Sequence, residues 1–279
     1  MPSTTATARP MTVEVDGATI AATLRGDGPL IALHAAPMDS RSFEGLAEVL
    51  AADWTVLTAD PRGVARSTVV DRTAHVTPDQ RAADLAAVLQ EVDAGPATVV
   101  GSSGGAVSAL ALAATRPELL EVVVAHEPPL CVLLPDARDL RVGTEEMVRR
   151  FTAGDREGYW RLFLDQANIF VPDEVFAGVF GQEPEGRDAE DEAFGVENML
   201  VETSFWEPPL DRLRSCGVPI VVGIGEESTS ELCDRTSRRL AEELGLGPTM
   251  FPGGHIGFTD HPDAFASVLR AVGRSGRND

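Results

Sequence analysis

Residues Ala97 to Ala114 hold a short β-branched run, a stop at glycine and an Ala/Leu-rich run of helical character. At the junction stands Gly101-Ser102-Ser103-Gly104-Gly105, a G-x-S-x-G pattern centred on Ser103. A strand that turns straight into a helix strains its central residue and lifts that side chain clear of the sheet. The flanking glycines remove Cβ atoms where strand and helix crowd. A hydroxyl so placed meets a helix N-terminus, whose free N–H groups and positive dipole end favour developing negative charge. The chemistry this suits is nucleophilic attack through a covalent intermediate. The plain alternative is a glycine-rich turn with a spare serine, and the strand–turn–helix context argues against it.

The elements around this junction alternate. Thr12–Val15 and Ala18–Leu24 read as a hairpin turning at Asp16-Gly17. Pro29–His34 is a short apolar run with the look of a buried parallel strand, and a helix is expected from Ser42 to Ala51. Trp54–Asp60 is a further strand, closing on Asp60-Pro61-Arg62-Gly63. Thr77-Pro78 opens a helix to Val92 with a cap and a proline at the first helical position. Strands are expected at 97–101, 119–124, 218–224 and 249–251, with helices at 104–115, 231–244 and 262–272. From about 130 to 216 only helical patterns occur, at 144–153, 156–168 and 189–203, around an acidic loop at 181–192 that reads as solvated. The expected organisation is a loose tail at 1–10, a core of 11–129 with 217–279, and a helical cap of 130–216. Alternation of this kind predicts an α/β fold: a mostly parallel, eight-stranded sheet flanked by helices, working at the carboxyl ends of its strands. The loops at 34–38, 60–63, 101–105, 127–129, 225–229 and 252–255 all follow predicted strands, and so gather at one edge.

Composition narrows the partners. The 279 residues carry 23 basic and 44 acidic side chains, a net charge of −21 that argues against nucleic acid and anionic membrane surfaces. Cys131, Cys216 and Cys233 are scattered, with no C-x-x-C, which suggests a reducing compartment and no metal cluster. No 18-residue apolar run is present and residues 1–10 lack a signal core, so the expected address is the cytoplasm. No cofactor is expected, because neither G-x-G-x-x-G nor a P-loop is present.

With these residues in view the chain resembles an α/β-hydrolase from residue 12 to 272. His34-Ala35-Ala36-Pro37 is similar to the family's H-G-x-P, with alanine for the glycine. Asp60-Pro61-Arg62-Gly63-Val64-Ala65-Arg66-Ser67 resembles D-x-R-G-x-G-x-S, with Ala65 for a glycine. Gly101–Gly105 is the nucleophile elbow, and Gly254-His255 before Pro262-Asp263-Ala264-Phe265 resembles the ending that carries the catalytic histidine. The resemblance implies Ser103 as nucleophile, His255 as general base, and the backbone N–H groups of Ala36 and Gly104 as the oxyanion hole. Of the other histidines, His34, His126 and His261 are expected to be structural and His75 to sit in a polar loop, and Arg62 is expected to fix its own loop by hydrogen bonds.

One position departs from the pattern. Where the family places its aspartate after the 218–224 strand, the register gives Ser228, which cannot stabilise an imidazolium by charge. Glu127, at the end of the preceding strand and stiffened by Pro128-Pro129, is the preferred acid; Glu227 is the alternative. Ten of 15 aromatic residues lie between 151 and 206. A small cap needs them for its own core, and any that face the pocket would favour an apolar substrate. The expected function is a serine hydrolase acting on a small apolar ester or related acyl bond, as a monomer or homodimer. A lyase or cyclising thioesterase on the same site, or a ligand receptor built on the fold, are the alternatives.

Overall fold

Side chains along the central strands alternate between two faces of one sheet, as the two-residue period of a strand demands. A computed structural model of the chain describes residues 7–275. Strands β1 (Arg9–Val15) and β2 (Ala18–Arg25) form the expected hairpin, with Gly17 supplying φ +69° at its turn. Then come β3 (Leu30–Ala36), α1 (Glu44–Leu50), β4 (Thr55–Ala59), β5 (Thr68–Val69), α2 (Pro78–Val92), β6 (Ala97–Ser103), α3 (Gly104–Thr115) and β7 (Leu120–His126). A helical series interrupts the alternation: α4 (Ala137–Thr152), α5 (Arg156–Ala167), α6 (Asp173–Val179), α7 (Gly186–Asn198), α8 (Leu200–Ser204) and α9 (Leu210–Ser215). The chain closes with β8 (Ile220–Gly225), α10 (Leu232–Leu244), β9 (Thr249–Phe251), α11 (Gly257–Asp260) and α12 (Pro262–Ser275).

The sheet runs β1-β2-β4-β3-β6-β7-β8-β9, and two-residue β5 pairs with the start of β2. From β4 to β9 every neighbour is parallel, while β2 is antiparallel to both β1 and β4. Leu30, Ala32, Leu57, Val99 and Val123 face α2, α3 and α10; Ile31, Leu33, Val56, Val100 and Val124 face α1, α11 and α12. Helix α3 is buried from Gly104 to Ala113, because α2, α8 and α9 cover the side turned away from the sheet. Each fully buried leucine on it contributes about 1.5–3 kcal/mol. Among the described residues no helix is long and apolar enough to cross a membrane.

The structure departs from the sequence expectations in several elements. Arg9 and Pro10, expected in the tail, begin β1 and pair with Leu24 and Thr23; residues 1–6 lie outside the described residues. Helix α7 starts at Gly186, inside the expected acidic loop, because its carboxylates have partners. Asp191 accepts the Ala65 N–H at 2.6 Å, and Glu192 is paired with Arg156 and with the Trp160 indole N–H. Helices α6 and α9 fill stretches not read as helical, and β5 and the short α11 were not legible either.

Candidate active site

Ser103 ends β6 and stands at the N-terminus of α3 with φ 54° and ψ −125°, a backbone that few non-glycine residues adopt. The glycines around it make room. A Cβ on Gly101 would stand 2.3 Å from the Gly105 carbonyl oxygen, and one on Gly105 would stand 2.2 Å from that of His34. Side chains there would force α3 away from the sheet. Ala36 lies opposite Ser103 in the β3–β6 register, and Gly104 packs so close beneath it that a Cβ would reach 2.4 Å from the Ala36 oxygen. Both backbone segments expected to hold an oxyanion therefore flank the serine.

The next strand supplies a carboxylate. Ser102 pairs with His126 across β6 and β7, and Glu127 follows at φ 50° with its side chain fully buried. Its backbone N–H donates to Gly223 O at 3.0 Å, which anchors the turn to β8. The side chain uses both oxygens. The Gly225 N–H donates to Oε1 at 2.8 Å, and His255 Nδ1 meets Oε2 at 2.5 Å. His255, on the loop after β9, keeps 27 % of its side chain exposed. Burial works to raise the Glu127 carboxyl, but the His255 ring outweighs it and holds the group at about 2. Burial likewise opposes charge on His255, yet Cys233 and Glu127 beside it raise the ring well above its ordinary value. The surroundings thus favour the charged form of this imidazole, the form a histidine takes once it has accepted a proton.

Of the two candidate acids, Glu127 is the one in contact with His255. The Glu227 side chain is exposed, and its backbone N–H donates to Gly253 O at 3.0 Å. Ser228, at the position the resemblance reserves for aspartate, is buried beside Glu127 and helps hold that carboxyl low. His126 is buried, its Nδ1 3.1 Å from Ser102 Oγ and its ring edge-on to Phe251 and Phe265. His34 is also buried, and burial lowers both rings to about 4, so they are neutral near pH 7. His75 pairs at the surface with Glu202, and His261 is exposed. Arg62 corrects its expectation: its guanidinium reaches α2, bidentate to buried Asp84 at 2.6 and 2.7 Å. Its own loop is held instead by Asp60, which accepts from the Ser40 N–H and the Arg66 guanidinium.

A sequence profile of the alpha/beta hydrolase family matches residues 30–268. The chain belongs to this family. This hydrolase is 28 % identical over 260 residues to "Uncharacterized hydrolase YraK" of Bacillus subtilis (strain 168), covering 92 % of this chain and 93 % of that one. Solved structures share its fold. An alpha/beta hydrolase from Sphaerobacter thermophilus superposes with a TM-score of 0.68 at 24 % identity, over 94 % of this chain and 98 % of the other. A thermophilic esterase from Thermogutta terrifontis gives 0.70 at 17 % identity, over 97 % and 100 %.

The helical series α4–α9, where a cap was expected, uses its aromatic residues mostly on itself. Tyr159 meets Phe151 and Trp160 edge-on, and Phe180 packs on Trp160 and Phe176. Phe194 joins Val64, Val76 and Met199 at the seam with the core, and the Trp206 N–H donates to Asp79 on α2. Over the elbow stands a smaller residue: a Cβ on Gly104 would lie 3.1 Å from Thr203 Cγ2. Sequence reasoning missed two residues here. Arg81, fully buried, donates to Ser108 and Thr203 and so ties α3 to the cap; its place on the apolar stripe of α2 was the available signal. Cys233, on α10, brings its sulfur within 4.8 Å of ligand atoms on Glu127 and His255, and no local pattern announces that.

Proposed function

We propose that the chain is a serine hydrolase that cleaves a small, largely apolar carboxylic ester or related acyl bond through an acyl-enzyme. One observation carries the reading: a strained serine at a helix N-terminus shares the carboxyl edge of the sheet with a histidine held at 2.5 Å by a buried carboxylate. Ser103 Oγ attacks the substrate carbonyl carbon while His255 Nε2 takes its proton. Glu127 fixes Nδ1 as the protonated nitrogen and stabilises the imidazolium that forms. The N–H groups of Ala36 and Gly104 receive the oxyanion. Collapse expels the leaving group, which takes the proton from His255, and water then repeats the sequence on the acyl-enzyme. The methyl of Thr203 and the side chain of Ala36 beside the elbow support a small uncharged acyl group. The aromatic residues of the cap lend that choice no weight, since they pack among themselves and along the seam.

The test is a phosphonate probe followed by mass spectrometry, with a panel of esters of graded acyl length. Wild-type protein takes the label on Ser103, and Ser103→Ala loses both the label and at least about 10⁴-fold in turnover. Label on another serine, or full turnover by Ser103→Ala, overturns the assignment. Faster turnover of a charged, sugar-like ester overturns the apolar preference alone.

A further inference from the structure

The proposed reaction leaves one chemically active group beside its base without a role. Cys233 lies in the first turn of α10, part-buried, while the histidine it approaches follows β9 and the carboxylate follows β7. One ligand atom each from Glu127, Cys233 and His255 lies within 4.8 Å of the other two. Glu231 is close enough to feel the charges of Glu127 and His255, and it adds a further carboxyl to the surroundings. Sulfur, imidazole nitrogen and carboxylate oxygen are the donors a zinc-class cation takes, at about 2.0–2.3 Å each, which sets tetrahedral donors roughly 3.3–3.7 Å apart. Closing from 4.8 Å, or opening the 2.5 Å contact between His255 and Glu127, asks for side-chain shifts on the order of 1 Å. The part-exposed His255 ring gives a cation a way in.

We propose that Glu127, Cys233 and His255 form a binding site for a thiophilic divalent cation of the zinc class, and that occupancy switches the hydrolase off. The loss of hydrolysis rests on the serine mechanism above; binding does not. The cation seats between His255 Nδ1 and the Glu127 carboxylate and takes the Cys233 sulfur as thiolate. The thiol proton leaves to solvent, as metal binding to cysteine requires. The proton displaced from Nδ1 leaves to solvent, or moves through water to Nε2 where that nitrogen is bare, so the bound ring carries its one proton on Nε2 and has no lone pair left to accept the Ser103 proton. Water completes the fourth position. A thiol that merely filled space beside β7 and the loop of His255 would bind nothing, and the two readings separate cleanly.

Cadmium titration followed by thiolate-to-cadmium absorbance in the ultraviolet reads binding without any substrate. Wild-type protein, Cys131→Ser and Cys216→Ser are expected to show the band at one cation per chain; Cys233→Ser and Cys233→Ala are expected to lose it. His255→Gln is expected to weaken cadmium binding at least tenfold. In parallel, zinc inhibits ester turnover, a chelator restores it, and the half-inhibiting concentration rises at least about tenfold in Cys233→Ser, each variant compared with its own metal-free rate. Thermal melting of each variant confirms folding. A band retained in both Cys233 variants, or equal zinc sensitivity in wild type and Cys233→Ser, overturns the site. A band lost as expected in a protein that turns over no ester leaves the cation site standing and counts against the serine mechanism.

Discussion

The sheet core and the helical insertion α4–α9, the expected cap, hold their parts in place in opposite ways. In the core, backbone packing sets position: Ser103 is where it is because Gly101 and Gly105 admit β3 and α3 at distances no Cβ would allow. In the cap, long side chains do the holding. Arg156 joins Glu192, Arg187 joins Asp191 and reaches the carbonyls of Gly63 and Ser67, and Arg72 sits 4.8 Å over the Phe194 ring. Much of this converges on the loop between β4 and α2, while Arg81 to Thr203, Trp206 to Asp79 and Arg235 to Asp136 tie the same region to α2 and α10. A geometry fixed by backbone tolerates little change, whereas one fixed by side chains can be retuned pair by pair. The chemistry proposed for Ser103 and His255 would rest on the first kind of support, and helices α4–α9 on the second.

The sharpest way to test that division is to change charge without shape inside the core. Glu127→Gln should lower turnover by about 10³–10⁴, because the amide cannot stabilise an imidazolium. Glu227→Gln, at an exposed side chain, should stay within a few-fold of wild type. Steady-state kinetics on both variants decides it, and the reverse pattern would return the acid to the loop after β8. The seam comes next. Phe194→Ala removes a buried ring between cap and core and should cost about 3–5 kcal/mol by chemical denaturation. Hydrogen exchange in α7 and α8 should rise more than in α3; uniform loosening would mean the two regions are not separable.

Acid should strain the core through His34. Burial lowers its folded pKa to about 4, below the unfolded 6.5, so the folded chain holds fewer protons between those values. Its contribution is present above pH 6.5 and is lost as pH falls toward 4, on the order of 3 kcal/mol. Denaturant midpoints at pH 7 and 4.5 should converge in His34→Gln relative to wild type. An unchanged pH dependence would contradict the neutral buried ring. The smallest effect belongs to Ala65, which stands at φ 50° where the resemblance has glycine. Ala65→Gly should raise stability by about 0.5–1 kcal/mol, read as a shift in denaturation midpoint, while a loss would show that the Ala65 methyl packs usefully against the cap.

The same contrast governs what could be read from sequence. Ser103, Ala36 and the loop of His255 were legible because each follows a strand directly, and a local pattern of apolar run, glycine and helix start marks the place. The α/β alternation gave the sheet its strands to within a few residues, including the long βα units around Ser103. Helix α7 was not legible at its start: Asp188, Glu190, Asp191 and Glu192 read as solvated, but Asp188 pairs with Arg41, Glu190 and Asp191 with Arg187, Asp191 also with the Ala65 N–H, and Glu192 with Arg156. Arg62 was assigned to its own loop because its true partner, Asp84, is a helix away. Cys233 and Glu127 are separated by a whole cap in sequence, and only the closed sheet makes them neighbours of His255.

Glu127 divides its two oxygens between the amide of Gly225 and the ring of His255. A carboxylate that grips the adjoining strand as well as the imidazole relieves the 226–231 segment of supplying one. The backbone of that segment stays tied to the strand ends and the loop of His255, through Glu226 N–H to Phe251 O and Glu227 N–H to Gly253 O. Its exposed side chains, Glu226, Glu227 and Thr229, are free to be exchanged without disturbing the contact between Glu127 and His255.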